Sequence, residues 1–129
     1  MTGRVLLDTN IIIALFANDN SVKKHLAETQ EVFIPSVAVG ELYYGAEKSK
    51  HMEDNIARIN NFADSNVILS CDRNTAVQYG KIKNCLRKKG TPIPENDIWI
   101  AAIVKQHKLI LISRDIHFDE IDGLKMQKW

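Results

Sequence analysis

Two carboxylates in this sequence directly follow aliphatic stretches that predict buried strands. Asp8 follows the first apolar residues of "RVLLDTNIII" at 4–13, and Asp115 follows "KLILISR" at 108–114. Burying an unpaired carboxylate is costly or forces it to protonate. Ligands of open α/β sheets bind beyond the carboxyl ends of the strands. We therefore expect both side chains to face a crevice at that edge, although Asp115 could instead cap the turn that follows it.

A third carboxylate, Glu41, lies on the apolar face of a predicted helix. The segment "PSVAVGELYYGAEKS" begins with a proline and with Ser36, which is a favourable N-cap residue. The spacing i, i+3, i+4, i+7 places four residues on one helix face, namely Ala38, Glu41, Leu42 and Gly45. A charge in the middle of a core-facing stripe makes Glu41 a candidate site residue.

The fourth carboxylate, Asp97, lies near the start of another predicted helix in "ENDIWIAAIVKQHK". Asn96 is a plausible N-cap, which would place Asp97 in the first turn. Taken alone, Asp97 could simply complement the helix dipole, an effect of about 0.3–1 kcal/mol.

Four ionised carboxylates in one crevice would repel each other strongly. At ~6 Å and an effective dielectric constant of ~20, each pair costs roughly 3 kcal/mol. Such a cluster persists if some members protonate or if a divalent cation lies among them. Oxygen ligands favour Mg²⁺ or Mn²⁺. The four histidines (25, 51, 107 and 117) show no metal-ligand spacing, so zinc is not expected.

Short strands that alternate with helices must position these residues. The predicted strands are 4–7, 31–34, 66–69, 109–112 and a weaker 124–127. The predicted helices are 11–17, 22–28, 37–47, 53–63, 74–89 and 97–106. Strands of nearly continuous Val, Ile and Leu separated by helices predict a parallel sheet covered on both faces, the doubly wound α/β class. The segment "GTPIPEN" at 90–96 predicts the one marked loop, because its glycine and prolines cannot continue a helix.

Composition narrows the function classes. The 129 residues fit a single domain, 1–129, and a net charge of +1 excludes a protein that holds nucleic acid by bulk electrostatics. Asp8 and Asn10 interrupt the N-terminal apolar run, so a signal peptide is not expected, and no apolar run approaches the ~20 residues of a membrane span. Cys71 and Cys85 lack metal or redox spacing and predict two buried thiols in a reducing compartment. We expect a cytoplasmic protein.

Four stretches carry a resemblance to a known family: "LLDTNIII", "PSVAVGELYYGA", "NDIWIAAI" and "LISRDIHFDEIDGL". In this order and spacing, and over essentially the whole chain, the sequence resembles the PIN-domain ribonucleases, and more closely the VapC-type toxins of toxin–antitoxin operons. The resemblance implies a three-layer α/β/α sandwich with a parallel sheet of about five strands. It also implies RNA as substrate and a small antitoxin as partner.

By this resemblance, Asp8, Glu41, Asp97 and Asp115 match the acidic quartet of the family. Thr9 and Ser113 match its supporting hydroxyl residues, and Asn10 matches the polar residue of its first motif. Asp119 lies close enough to Asp115 to be an alternative fourth acid. One or two Mg²⁺ or Mn²⁺ ions held by the quartet would activate a water for attack on the phosphodiester, with Glu41 as the residue that orients or deprotonates it.

Substrate contacts are expected from a basic helix. "KIKNCLRKKG" concentrates positive charge that leads toward the loop at 90–96, and we single out Lys83, Arg87, Lys88 and Lys89 as phosphate contacts. The alternative is a solvated helix end with Gly90 as its terminator. Tyr43 and Tyr44 are either core or an interface with an antitoxin or a second copy in a homodimer. Arg114 either pairs locally or contacts phosphate.

Two other functions are compatible with an acidic cluster. A catalytically silent PIN-type binding module would keep the fold, but the presence of all four acids argues against it. An Mg²⁺-dependent phosphotransfer domain also places acids at strand ends. The first motif, "DTN", however, lacks the second acid that such proteins carry nearby.

Overall fold

The computed structural model describes residues 2–129. The strands in this range form one five-stranded parallel sheet. The strands are β1 (Thr2–Leu7), β2 (Thr29–Pro35), β3 (Val67–Leu69), β4 (Ile110–Ile112) and β5 (Met126–Gln127). Their order is β3-β2-β1-β4-β5, with every neighbouring pair parallel. The chain therefore builds outward from β1 in one direction and then returns to its other side. The point where the direction reverses lies between β1 and β4.

Six helices cover the two faces of this sheet. They are α1 (Thr9–Phe16), α2 (Asn20–Ala27), α3 (Ser36–Glu47), α4 (Met52–Asp64), α5 (Arg73–Lys89) and α6 (Glu95–His107). Alternation along β1 sends Val5 and Leu7 into a core formed with α1 to α4, and Leu6 into a second core formed with α5 and α6. The predicted three-layer α/β/α sandwich is confirmed.

The predicted strands and helices are all present, with ends shifted by a few residues. The structure adds a 3-10 helix, Ile116–Glu120, directly after the turn that contains Asp115. Five residues are too few for a periodic apolar pattern, so no periodicity predicts this element.

The predicted N-caps of two helices are wrong. Pro35 rather than Ser36 precedes α3, and Pro94 rather than Asn96 precedes α6; neither helix has a side-chain cap. Both prolines have extended backbone angles, ψ 139° and 143°, and their fixed φ leads directly into the helix that follows. Asp97 nevertheless lies in the first turn of α6, as expected.

The prediction of buried thiols is also wrong, because Cys71 and Cys85 are both exposed free cysteines. Cys85 lies on α5, whose buried positions are Thr75, Ile82 and Leu86, so its side chain falls outside the buried stripe. Within residues 2–129, no helix combines the length and the hydropathy needed to span a membrane.

Candidate active site

Asp8 lies at the carboxyl end of β1, at the reversal point of the sheet. Its backbone N–H donates to the Ile112 carbonyl of β4 at 3.0 Å, and its carboxylate caps α1 by accepting from the Thr9 N–H at 2.8 Å. The residue is only 4% exposed. Burial raises the pKa of Asp8, while hydrogen bonds from Ser113 and Thr9 act in the opposite direction. Hydrogen-bond donors thus hold this carboxylate in place, and it forms no ion pair in the described part of the chain.

Ser113 connects Asp8 to Asp115. Its buried hydroxyl donates to Asp8 Oδ2 at 2.7 Å and accepts from the Asp115 N–H at 3.0 Å. Asp115 also caps the 3-10 helix by accepting from the His117 N–H at 2.9 Å. The capping role that the sequence left open for Asp115 is therefore present, and it fixes the carboxylate in the turn after β4.

Glu41 is held against the first motif by Thr9. The Thr9 hydroxyl donates to Glu41 Oε1 at 2.9 Å, across a sequence separation of 32 residues. Ala38 and Leu42 on the same helix face are buried in the core, as the spacing predicted. Burial is also the main cause of the raised pKa of Glu41, and the charge on Asp8 adds to it.

The pKa of Asp97 lies well above its ordinary value. A helix N-terminus lowers the pKa of an acid in its first turn, yet the pKa of Asp97 is raised to about 6. Burial is the main cause, and the charges on Asp115 and Asp8 also contribute. The helix dipole therefore does not account for Asp97, because burial and the two neighbouring acids outweigh it.

Three of the four predicted acids line one cleft. It is lined by Glu41, Pro94, Glu95, Asn96, Asp97, Asp115 and His117, and we call it the acidic cleft. Asp8 is buried, but its charge raises the pKa of both Glu41 and Asp97, so it belongs to the same electrostatic unit. The structure thus places Glu41, Asp97 and Asp115 on one cleft with Asp8 buried beside it, but of these four acids only Asp97 and Asp115 belong to a group of three side chains whose ligand atoms lie within 4.8 Å of one another.

Sequence reasoning missed His117. Its Nδ1 lies 3.2 Å from Asp97 Oδ2 and 3.1 Å from Asp115 Oδ1. One ligand atom from each of these three residues lies within 4.8 Å of the others, close enough to share a metal ion. The i, i+2 spacing of Asp115 and His117 was the only signal, and it acquires meaning only through the 3-10 helix.

The structure also separates residues that the sequence left undecided. Asp119 is exposed on the 3-10 helix and is not among the residues that line the acidic cleft, which favours Asp115 as the fourth acid. Asn10 Oδ1 accepts from the Arg114 N–H at 3.4 Å. Arg114 pairs with Asp19, 95 residues away in the sequence, at 3.0 Å, and donates to the Trp129 carbonyl at 2.9 Å.

Two of the four residues predicted to contact phosphate form ion pairs with acidic side chains. Lys83 pairs with Glu95, and Lys89 pairs with Asp122 at 3.1 Å. Arg87 and Lys88 are exposed near the end of α5 and form no ion pair within residues 2–129. Gly90 terminates the helix in the left-handed region, at φ 71°.

The two tyrosines of α3 have different environments. Tyr43 packs against the core and donates to Asn60, whereas Tyr44 is 67% exposed. Tyr43 therefore fits the core interpretation, and Tyr44 remains a candidate interface residue.

Comparison with known proteins adds independent information. Residues 5–124 match the PIN domain family. Ribonuclease VapC2 of Haemophilus influenzae is 36% identical over 129 residues, with 98% of each chain covered. The tRNA(fMet)-specific endonuclease VapC of Salmonella typhimurium is 31% identical over 132 residues, again with 98% of each covered. The structure is similar to that of DNA-bound VapBC from Salmonella typhimurium, with a TM-score of 0.91, 30% identity and coverage of 100% of this chain and 99% of that one.

Proposed function

This chain belongs to the PIN domain family, and on that premise we propose that it is a metal-dependent endoribonuclease and the toxin of a toxin–antitoxin pair. The family match spans 5–124, which supports one PIN domain over 1–129. The observation that carries the proposal is the acidic cleft, where Asp97 has a pKa of about 6 among three further acids. Because the substrate is RNA, we place its action in the cytoplasm.

The donor set of the acidic cleft fits a divalent cation. Asp97 and Asp115 present oxygens within shared reach, with Glu41 on the same cleft and Asp8 beside them. Burial is the main cause of the raised pKa values of Asp8, Glu41 and Asp97, and the neighbouring acids that add to each of them make positive charge favourable there. Hard oxygen ligands indicate Mg²⁺ or Mn²⁺. A bound ion of this kind neutralises phosphate charge and lowers the pKa of water.

The residues of the chain then have distinct tasks. Glu41 is partly exposed in the cleft and accepts a hydrogen bond from Thr9, so one oxygen is fixed and the other is available to orient or deprotonate the attacking water. Ser113 orients Asp8 and the turn that carries Asp115. Asn10 supports that turn through the Arg114 N–H.

A cleavage assay tests the proposal. RNA, including tRNA(fMet) because one relative is named for it, is incubated with the protein in Mg²⁺ or Mn²⁺, with EDTA as the metal-free arm. We expect cleavage that EDTA stops and that the Asp8→Asn variant lacks. Cleavage that persists in EDTA, or equally in Asp8→Asn, contradicts the proposed mechanism. Absence of cleavage under all conditions favours the silent binding module, and relatives named as nucleases argue against the phosphotransfer alternative.

The proposed protein partner is a small antitoxin. The similar Salmonella structure is a VapBC complex, and the present chain matches it over its whole length. Exposed Tyr44 is an aromatic residue of the kind enriched at interfaces. We also propose a homodimer, which light scattering of the purified chain tests by its molar mass.

A further inference from the structure

We propose that His117 is a ligand of the metal in the acidic cleft, so that the centre combines one imidazole nitrogen with carboxylate oxygens and favours Mn²⁺ over Mg²⁺. The inference rests on the proposed function, because it concerns the metal that the nuclease reaction uses. It adds a residue outside the acidic quartet, supplied by the 3-10 helix Ile116–Glu120.

The distances between donor atoms support this assignment. His117 Nδ1 lies 3.2 Å from Asp97 Oδ2 and 3.1 Å from Asp115 Oδ1. In an octahedral site with bonds of about 2.1 Å, adjacent ligand atoms are separated by about 3.0 Å. The nitrogen and each oxygen are therefore spaced like neighbouring ligands of one ion.

The backbone keeps the imidazole at this position. Asp115 Oδ1 accepts from the His117 N–H at 2.9 Å, so the turn that presents the carboxylate also presents the ring. The His117 side chain is 47% exposed, whereas that of Asp97 is 13% exposed. The imidazole thus lies at the mouth of the cleft and needs no rearrangement of the core to bind a metal.

If His117 only forms hydrogen bonds to Asp97 and Asp115, its ring should behave differently from a metal ligand when the metal binds. A metal that neutralises Asp97 and Asp115 would remove the attraction for the ring N–H, and the exposed imidazole would then turn to solvent. If the ring is a ligand, metal binding retains it through a nitrogen lone pair. The position of the ring in the metal-loaded protein separates these two cases.

Ligand chemistry gives the metal preference. Mg²⁺ prefers oxygen ligands and retains several waters. Mn²⁺ also suits carboxylate ligands, but as a transition ion it accepts an imidazole nitrogen more readily than Mg²⁺ does. Removing the nitrogen should therefore weaken Mn²⁺ binding by about tenfold, a loss as large as that caused by mutating an outer-shell partner of a metal ligand. Mg²⁺ binding should change much less.

Pulsed electron paramagnetic resonance of the Mn²⁺-loaded protein tests the proposal directly. We expect hyperfine coupling to one imidazole ¹⁴N in the wild type and in His51→Asn, a control that removes an exposed histidine from the start of α4. His117→Asn should lose this coupling, and its Mn²⁺ affinity should fall about tenfold relative to its Mg²⁺ affinity. If Mn²⁺ binds to the wild type without ¹⁴N coupling, or if His117→Asn retains the coupling, the ligand assignment is overturned. Neither result contradicts the proposed nuclease function. A wild type that binds Mg²⁺ but no Mn²⁺ overturns the ligand assignment alone, and a wild type that binds neither ion overturns the metal-dependent function as well.

Discussion

At the residue scale, hydroxyl groups rather than cations hold two acids of the site, Asp8 and Glu41, whereas Glu95 pairs with Lys83. Thr9 donates to Glu41 and Ser113 donates to Asp8, so the carboxylates are oriented but their charge is not neutralised. Hydrogen bonds of this kind lower the cost of burying an acid and leave its remaining lone pairs available. This arrangement explains how the chain keeps several carboxylates close together before any cation binds.

The Asp8→Asn variant separates catalysis from folding. An asparagine keeps an oxygen for the Thr9 N–H, and its amide can donate to Ser113, whose oxygen has two lone pairs. We expect RNA cleavage to fall at least about a hundredfold, while the melting temperature in EDTA stays equal or rises slightly because one repelling charge is gone. Asp119→Asn, which removes the same charge from an exposed position, is the control and should cleave normally. Full activity in Asp8→Asn would refute its catalytic role.

The raised pKa of Asp97 predicts how the stability of the metal-free protein depends on pH. The folded pKa is about 6 and the unfolded value is about 4, so between these values the folded state binds more protons. Stability in EDTA should therefore increase as the pH falls from 7 toward 5, by several degrees in Tm, since about 1 kcal/mol corresponds to roughly 4 °C in a domain of this size. Asp8 and Glu41 shift in the same direction. In thermal melts, Asp97→Asn should show a smaller difference between pH 5 and pH 7, and an unchanged difference would contradict the assignment.

The sequence could predict the site residues that a local pattern marks, but not the contacts between residues far apart in the chain. Asp8 and Asp115 were detectable because each follows an apolar strand, and Glu41 because it interrupts a helical stripe. His117 was not detectable, since its contact with Asp97 spans 20 residues and depends on how α6 meets the 3-10 helix. Local patterns identify candidate acids, whereas contacts between elements depend on tertiary packing.

At the scale of elements, α5 illustrates the same limit. Its length and its glycine terminator were predictable, because capping at the end of a helix is local. The ion pairs of Lys83 with Glu95 and of Lys89 with Asp122 were not predictable, because each joins residues from different parts of the chain. Arg87 and Lys88 are therefore the two predicted phosphate contacts that form no ion pair in the described part of the chain.

Replacing Arg87 and Lys88 with alanine should weaken RNA binding without affecting the chemistry. On single strands each neutralised phosphate contributes about 0.7 to the slope of log affinity against log salt, so losing two contacts should flatten it by about 1.4. Cleavage at saturating RNA should change little. The matched control is Lys23→Ala with Lys24→Ala, an exposed pair of cations on α2. The measurements are binding titrations at several salt concentrations and single-turnover cleavage rates. If these two residues do not contact phosphate and only form a solvated helix end, affinity and slope stay at wild-type values.

At the scale of the whole molecule, the topology explains why distant motifs meet. The order β3-β2-β1-β4-β5 places the carboxyl ends of β1 and β4 side by side at the reversal point, although Asp8 and Ser113 are 105 residues apart. The alternation of strands and helices predicted the layers and the parallel sheet. The strand order itself came from the structure, because nothing in the periodicity specifies which side of β1 each later strand joins.

The proposed biology predicts that the chain is harmful when it is made alone. Its net charge of +1 gives it no bulk attraction for RNA, so any toxicity must come from the acidic cleft rather than from indiscriminate binding. Expression from an inducible promoter should arrest growth, and Asp97→Ala should relieve the arrest at an equal protein level, measured by immunoblot. Asp119→Ala, which removes an exposed acid that is not among those lining the cleft, should remain toxic. Growth curves and colony counts after induction provide the measurement, and a wild type that is harmless at high expression would remove most of the support for a toxin.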